Sequence, residues 1–169
     1  MKLLIIAPKR SGKDHLAEYL RDSIGLTYES SSRLAAKIFI FDKLKDKYGY
    51  QNVEECFLDR SSHRPEWYEL IREYNKEDPI RLCKEILKNN DAYIGMRSYI
   101  EADFTKQYYG DELLTIFVDS EGRTEPESES SCTISKDLAD IIIDNKTTVV
   151  EFEKRLHKLS KLLEPHIGK

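Results

Sequence analysis

Short apolar runs alternate with segments of helical spacing along most of the chain. Short apolar runs, typical of buried parallel strands, occur at residues 2–6, 91–96, 113–118 and 141–143, and residues 26–30 are a candidate second strand. Apolar positions repeat with helical spacing at residues 12–23, 33–47, 65–75, 79–89, 98–109 and 148–163. Strands that alternate with helices in this way predict an α/β fold, in which helices cover both faces of a parallel sheet.

Local signals mark where several of these helices begin and end. Gly25 and Gly110 follow the last apolar position of a helical segment, where glycine commonly ends a helix. Thr148 and Glu151 have the spacing of a capping box at the start of the last helix. Asp78 precedes Pro79, so we expect it to cap the helix over residues 79–89.

Two segments interrupt the alternation of strands and helices. Residues 48–90 place several helical pieces between the second and third strands. Residues 119–137 are rich in serine and glutamate and poor in apolar side chains, which fits either a surface loop or a mobile lid over a site. The length of 169 residues fits one domain, so we interpret residues 1–169 as a single unit that contains both segments.

Charge and hydropathy narrow the classes of partner. The net charge is -4 and the basic and acidic residues are interleaved, which argues against duplex nucleic acid as the main partner. No apolar segment approaches the length of a membrane span, so we expect no membrane partner and a cytoplasmic location. A small anionic substrate in a local basic pocket is compatible with this balance.

Residues 7–14, between the first strand and the first helix, have the pattern of a phosphate-binding loop. They read Ala-Pro-Lys-Arg-Ser-Gly-Lys-Asp, so the predicted cofactor-binding residues are Lys9, Arg10, Ser11, Gly12, Lys13 and Asp14. Backbone N–H groups of such a loop wrap a phosphate chain, and the helix dipole favours the negative charge. The lysine then reaches the β- and γ-phosphates of ATP as a point charge.

The loop departs from the usual phosphate-loop pattern at its two ends. Ala7 stands in place of the first glycine, and Asp14 in place of the final serine or threonine. Hard cations prefer oxygen ligands, so Asp14 is the candidate ligand for Mg²⁺, directly or through water. The alternative is that Asp14 only complements the positive end of the helix dipole.

At these residues the chain resembles the phage-type deoxynucleoside monophosphate kinases, which share the loop sequence of residues 9–14, including the aspartate. Weaker likeness extends over residues 91–97, 133–135 and 139–145. The resemblance implies the three-layer P-loop fold of nucleoside monophosphate kinases, with a five-stranded parallel sheet in the order 2-3-1-4-5. It further implies that residues 38–90 form a helical acceptor-binding region and that residues 119–137 form a short lid.

The same resemblance implies an activity. Such enzymes transfer the γ-phosphoryl group of ATP, with Mg²⁺, to a deoxynucleoside monophosphate and so supply DNA precursors; a phage origin would place the protein in the host cytoplasm. A homodimer is compatible with the sequence. Arg97 matches the substrate-binding arginine after the third strand of that family. Gly95 stands where the family has an aspartate, and Glu101 or Asp103 is the candidate replacement.

Basic residues fall where the predicted fold places its crevice. Arg10 follows the first strand, Arg97 follows the third strand and Arg123 lies in the predicted lid. Together with Lys13 we predict them to be catalytic. Arg97 can grip an acceptor phosphate bidentately, or else pair with Glu101 on the helix surface. The predicted substrate-binding residues are Arg33, Lys37, Arg64, Trp67, Arg97 and Glu101.

Trp67 can stack on a nucleobase or pack in the core. Two alternatives to a nucleotide kinase also stay open at this point. One is a P-loop kinase for another acceptor, such as a nucleoside, a modified base in DNA or a metabolite. The other is a regulatory module that binds a nucleotide without turnover.

Overall fold

A computed structural model describes residues 1–123 and 132–167 of the protein. The strands of the sheet are β1 (Lys2–Ile6), β2 (Tyr28–Ser30), β3 (Ala92–Ile94), β4 (Leu113–Asp119) and β5 (Ile141–Asp144). The α-helices are α1 (Lys13–Ile24), α2 (Ser31–Ala35), α3 (Phe41–Tyr48), α4 (Val53–Leu58), α5 (Arg64–Tyr74), α6 (Arg81–Asn89), α7 (Tyr99–Tyr109) and α8 (Val149–Leu163). Short 3₁₀ turns occupy Asp59–Ser61, Gly110–Glu112, Lys136–Leu138 and Glu164–His166.

All strand pairs are parallel, and the order across the sheet is β2-β3-β1-β4-β5. This confirms the predicted fold class, including the order 2-3-1-4-5. β1 lies at the centre, with Leu3 opposite Ala92 on one side and Leu114 on the other. Since all strands run in one direction, their carboxyl ends meet at one edge, where ligands bind in open parallel sheets.

The core lies on both faces of the sheet because strand side chains alternate between them. Leu4 and Ile6 face the layer that contains α2, α3, α6 and α7. Leu3 and Ile5 face the opposite layer, formed by α1 and α8. Each of these four β1 side chains is fully buried, which explains why β1 is an uninterrupted apolar run.

The helix that follows β2 differs from its predicted form. It begins at Ser31, where the Ser30 hydroxyl accepts a hydrogen bond from the Arg33 N–H, and continues to Tyr48 before Gly49. Between α2 and α3, Ala36–Ile40 forms a π-helical turn. Such a turn inserts an extra residue per hydrogen-bonded ring and often accompanies functional sites.

The region between β2 and β3 contains a helix, α4, that the sequence analysis missed. Asn52 caps it by accepting a hydrogen bond from the Glu55 N–H at 2.9 Å, and this Asn-to-Glu spacing was the available signal. The predicted cap at Asp78 is wrong, because α6 begins at Arg81. Asp78 instead accepts a hydrogen bond from the Ile80 N–H within a turn.

Part of the predicted lid, residues 124–131, lies outside the described residues. Of residues 119–137, the structure describes 119–123, at and after the end of β4, and 132–137, which lead into the Lys136–Leu138 turn. Within residues 1–123 and 132–167, none of the helices combines the length and apolar character needed to span a bilayer.

Candidate functional site

The phosphate loop joins the central strand to α1, as the sequence predicts. Its backbone takes the left-handed conformation at Arg10, with φ of +60°, and at Gly12, with φ of +98°. A non-glycine residue rarely adopts this conformation, which costs about 1–2 kcal/mol, so surrounding contacts must hold the loop. Ser11, between the two, is fully buried.

Lys13 and Asp14 open α1, directly after the loop. The Lys13 ammonium donates to the Asp14 carboxylate at 3.0 Å, and the two side chains are 13% and 69% exposed. The carboxylate is therefore open to solvent beside the helix N-terminus. In the described residues, no group of three or more His, Cys, Asp and Glu side chains is arranged to hold a metal ion.

Arg60, which the sequence analysis missed, is electrostatically coupled to Arg33, to Arg64 and to Asp14 at the start of α1. Burial, together with the positive charges of Arg33 and Arg64, lowers the pKa of Arg60, whereas the carboxylate of Asp14 acts in the opposite direction. Arg60 therefore lies within electrostatic reach of both predicted acceptor arginines and of the loop. We call Arg33, Arg60 and Arg64 the arginine cluster.

The Phe57 ring, on α4, contacts two members of the arginine cluster. The guanidinium carbons of Arg33 and Arg60 lie 4.1 and 3.9 Å from the centre of its ring. Arg60 also donates to the Phe57 carbonyl at 2.8 Å, and Arg33 donates to Glu54 at 2.9 Å. Stacking on an aromatic ring offsets the repulsion between guanidiniums and leaves N–H groups for an anion.

Two other predicted substrate-binding residues have roles within the fold. Trp67 is 4% exposed and packs in the core, so its ring offers no free face for a nucleobase in this conformation. Lys37, in the π-helical turn, donates to Glu29 of β2 at 2.6 Å. Its side chain is 48% exposed, so the ammonium remains at the surface.

The loop after β3 places Arg97 at the same edge of the sheet. Its carbonyl accepts a hydrogen bond from the Thr133 N–H at 2.9 Å, which joins it to the chain that returns toward β5. Gly95 has φ of +95°, which an aspartate would adopt only with strain. The Glu101 carboxylate accepts from Asn75 at 2.8 Å, and burial raises its pKa. Asp103 accepts from Gln107 instead.

Arg123 contacts the phosphate loop through one intermediary, Asn145. The Arg123 guanidinium donates to the Asn145 carbonyl at 3.0 Å and to its side-chain oxygen at 2.6 Å. The Asn145 amide in turn donates to the Ser11 carbonyl at 2.7 Å. The sequence analysis included Asn145 in a segment of family likeness but assigned it no role.

Asp119 is a buried acid at the carboxyl end of β4, only 6% exposed. Burial by itself raises its pKa, but Lys146, the Glu121 N–H and Lys136 outweigh that effect and lower the pKa from 3.8 to about 2. The Lys146 and Lys136 ammoniums lie 2.9 and 3.1 Å from its carboxylate. The ionised form of Asp119 therefore stabilises the edge of the sheet beside the loop.

We expect Asp119→Asn to destabilise the protein at neutral pH and much less at pH 2, close to the folded pKa of the carboxyl. A folded pKa below the unfolded pKa of an acid stabilises the fold above the unfolded value, and this contribution is lost as pH falls through the folded pKa. The shift corresponds to roughly 2 kcal/mol. Urea unfolding at about pH 7, 4 and 2 measures it, with the exposed Asp46→Asn on α3 as control. An equal deficit at every pH would contradict this assignment.

No protein-family model matches the sequence, and no curated protein matches it. Two solved structures are similar over nearly the whole chain. Shikimate kinase from Aquifex aeolicus vf5 is 14% identical with a TM-score of 0.47, covering 99% of this chain and 100% of that one. A gluconokinase from Sinorhizobium meliloti 1021 is 14% identical with a TM-score of 0.46, covering 98% of this chain and 97% of that one.

Proposed function

We propose that the protein is an ATP-dependent kinase that transfers the γ-phosphoryl group to a (deoxy)nucleoside monophosphate, giving the diphosphate. The observation that supports this most directly is the arginine cluster beside the phosphate loop. Arg33 and Arg60 stack on the same ring and Arg64 adds its positive charge at Arg60, so an anion bound among them would relieve an electrostatic cost. A phosphate monoester satisfies that requirement, whereas a neutral nucleoside does not.

The phosphate loop is suited to the donor. Left-handed residues in a loop that enters a helix direct successive N–H groups into a concavity that favours anions. Ser11 supports this, because its fully buried hydroxyl has no hydrogen-bond partner in the described part of the chain. Lys9, Arg10 and Lys13 add positive charge around the same loop, and we assign ATP phosphates to this site.

Mg²⁺ fits the donor site through Asp14. Proteins bind this ion with one or two carboxylates plus waters and substrate phosphates, so a single exposed carboxylate beside the loop is sufficient. Held there by Asp14, Mg²⁺ would supply positive charge that offsets the negative charge of the phosphates during transfer. The interaction of Asp14 with Lys13 keeps the carboxylate at the loop and limits its orientation.

The roles that we propose for the other basic residues follow from the chemistry of direct phosphoryl transfer. An in-line displacement needs positive charge around the migrating group and no covalent nucleophile from the protein. Lys13 would bind the β- and γ-phosphates, and Arg10 and Arg97 would face the migrating group from the first and third strands. The arginine cluster would hold the acceptor phosphate opposite the donor.

A coupled assay for ADP release tests this proposal. We expect Mg²⁺-dependent ADP release with one or a few members of a panel of nucleoside and deoxynucleoside monophosphates, and none with the matching nucleosides. Release with a nucleoside or a phosphate-free metabolite would instead favour a kinase for another acceptor. ATP binding without release for any acceptor would favour a regulatory module.

A further inference from the structure

Asn145 lies directly after β5, the outermost strand next to β4, at the edge where all five strands end. It is 5% exposed, and each of its four polar groups is hydrogen-bonded. Its backbone N–H donates to the Asp119 carbonyl at 2.7 Å. Its side-chain amide donates to the Ser11 carbonyl at 2.7 Å, and its two oxygens accept from Arg123.

The bond to Ser11 fixes the direction of one peptide group of the phosphate loop. A peptide bond is planar and trans, so the carbonyl of one residue and the N–H of the next point in opposite directions. When Asn145 holds the Ser11 carbonyl, the Gly12 N–H must therefore point away from Asn145. That peptide group lies between Arg10 and Gly12, the two left-handed residues of the loop, where a flip would otherwise be easy.

The packing at this point tolerates little change. A Cβ atom added to Gly12 would lie 2.5 Å from the Asn145 side-chain nitrogen and 3.3 Å from the Phe152 ring. Gly12 thus serves two purposes, because it adopts φ of +98° and admits the amide of Asn145 against the backbone. The contact between Asn145 and the loop is consequently close and has one orientation.

Arg123 determines which end of the Asn145 amide faces the loop. A guanidinium only donates hydrogen bonds, so it selects the amide oxygen and leaves the nitrogen toward the Ser11 carbonyl. The reversed amide would place its oxygen against the carbonyl oxygen and its N–H groups against the guanidinium. Arg123 therefore acts on the loop through Asn145, which differs from the direct phosphate contact that the sequence predicts for it.

We propose that Asn145 is a positioning residue that turns the Gly12 N–H toward the phosphates of ATP, and that Arg123 orients the Asn145 amide. This inference rests on the proposed function, since it requires a phosphate chain in the loop. Neither residue touches the reacting atoms. The buried amide holds the loop in a binding-ready form before ATP arrives, which lowers the ordering cost of binding.

Two substitutions of Asn145 distinguish the effect of losing its side-chain N–H donor from the effect of adding a negative charge. Asn145→Leu and Asn145→Asp both remove the hydrogen bond to Ser11, and only the second adds a negative charge. We expect both to raise the Kd for Mg·ATP by about tenfold, the scale of one lost hydrogen bond to a charged group. We also expect an unchanged KM for the monophosphate, and in the wild type alone a large shift of the Gly12 amide resonance on adding Mg·ATP.

Asn90→Asp is the matched control, because the Asn90 amide also donates to a backbone carbonyl, that of Ile86, at the end of α6. It should leave the Kd for Mg·ATP unchanged. If the Asn145 variants do not fold, Arg123→Ala provides the test, with the same weakening of Mg·ATP binding expected from an exposed position.

The outcomes distinguish this inference from the proposed function. Wild-type protein that does not bind Mg·ATP would overturn the proposed function, and the inference with it. Wild-type protein that binds Mg·ATP, with folded Asn145 variants that bind it equally well and show the same Gly12 shift, would overturn the inference alone. Weakening confined to Asn145→Asp would also overturn it, since charge repulsion would then be the cause.

Discussion

Replacing Lys13 with alanine is expected to lower kcat by on the order of 10²-fold or more while the protein remains folded. The ammonium lies at the start of α1, beside the loop that we assign to the ATP phosphates, and its side chain is only 13% exposed. Its charge is expected to follow the γ-phosphoryl group during transfer, so its loss removes stabilisation that the transition state needs most.

The comparison requires steady-state kinetics at saturating ATP together with an unfolding curve for each protein. Lys43→Ala is a suitable control, because Lys43 is an exposed lysine on α3, away from the loop. It should retain wild-type kcat. A folded Lys13→Ala protein with near-normal kcat would contradict the assignment of residues 7–14 as the phosphate loop of a kinase.

The second large effect is expected at Arg60, in the arginine cluster. Arg60→Ala should raise the KM for the monophosphate by on the order of 10- to 10²-fold, because a hydrogen-bonded ion pair with phosphate in a partly buried site is lost. The KM for ATP should change little. Removing Arg60 also relieves electrostatic repulsion on Arg33 and Arg64. The free energy of unfolding should therefore fall by less than the loss of monophosphate binding.

Arg72→Ala is the matched control for this experiment. Arg72 lies on the neighbouring helix α5, where it pairs with Glu69 at 2.6 Å and is 69% exposed. Its removal should leave both KM values unchanged. If Arg60→Ala raised only the KM for ATP, the arginine cluster would belong to the donor site instead.

The fold was largely predictable from the sequence because its signals are local. β1 and β4 are apolar almost throughout, since they are buried on both faces, and the phosphate loop directly follows the first of them. The strands β2 and β3 were predicted longer than they are: β2 begins at Tyr28 and not at residue 26, and β3 ends at Ile94 although the predicted run continues to residue 96. Met96, for example, is buried although it lies after β3.

The arginine cluster was only partly predictable because it depends on distant parts of the chain. Arg33 and Arg64 follow predicted element boundaries, but Arg60 lies in the turn Asp59–Ser61 after a helix that the sequence analysis missed. Only the folded chain brings it over Phe57 beside Arg33. The positions of charged residues along the sequence do not predict that these two arginines lie close together.

Trp67 and Asn145 were both misjudged from the sequence. Trp67 was assigned to the substrate site but packs in the core, whereas Asn145 contacts the phosphate loop but was assigned no role. A lone tryptophan near basic residues is compatible with a base-stacking platform, yet its burial depends on the packing of helices around it. Asn145 gives no sequence signal for a loop contact, since Ser11 lies 134 residues away. The contact forms because the parallel sheet brings the ends of β1 and β5 to one edge.

The most direct test of the central claim is the fate of a radiolabelled γ-phosphoryl group of ATP. The purified protein is incubated with labelled ATP, Mg²⁺ and the monophosphate that supports ADP release, and the products are separated by chromatography. We predict that the label appears in the corresponding nucleoside diphosphate in amounts equal to the ADP formed. Label that appears only as inorganic phosphate, or that remains in ATP with every monophosphate, would contradict the proposed kinase activity.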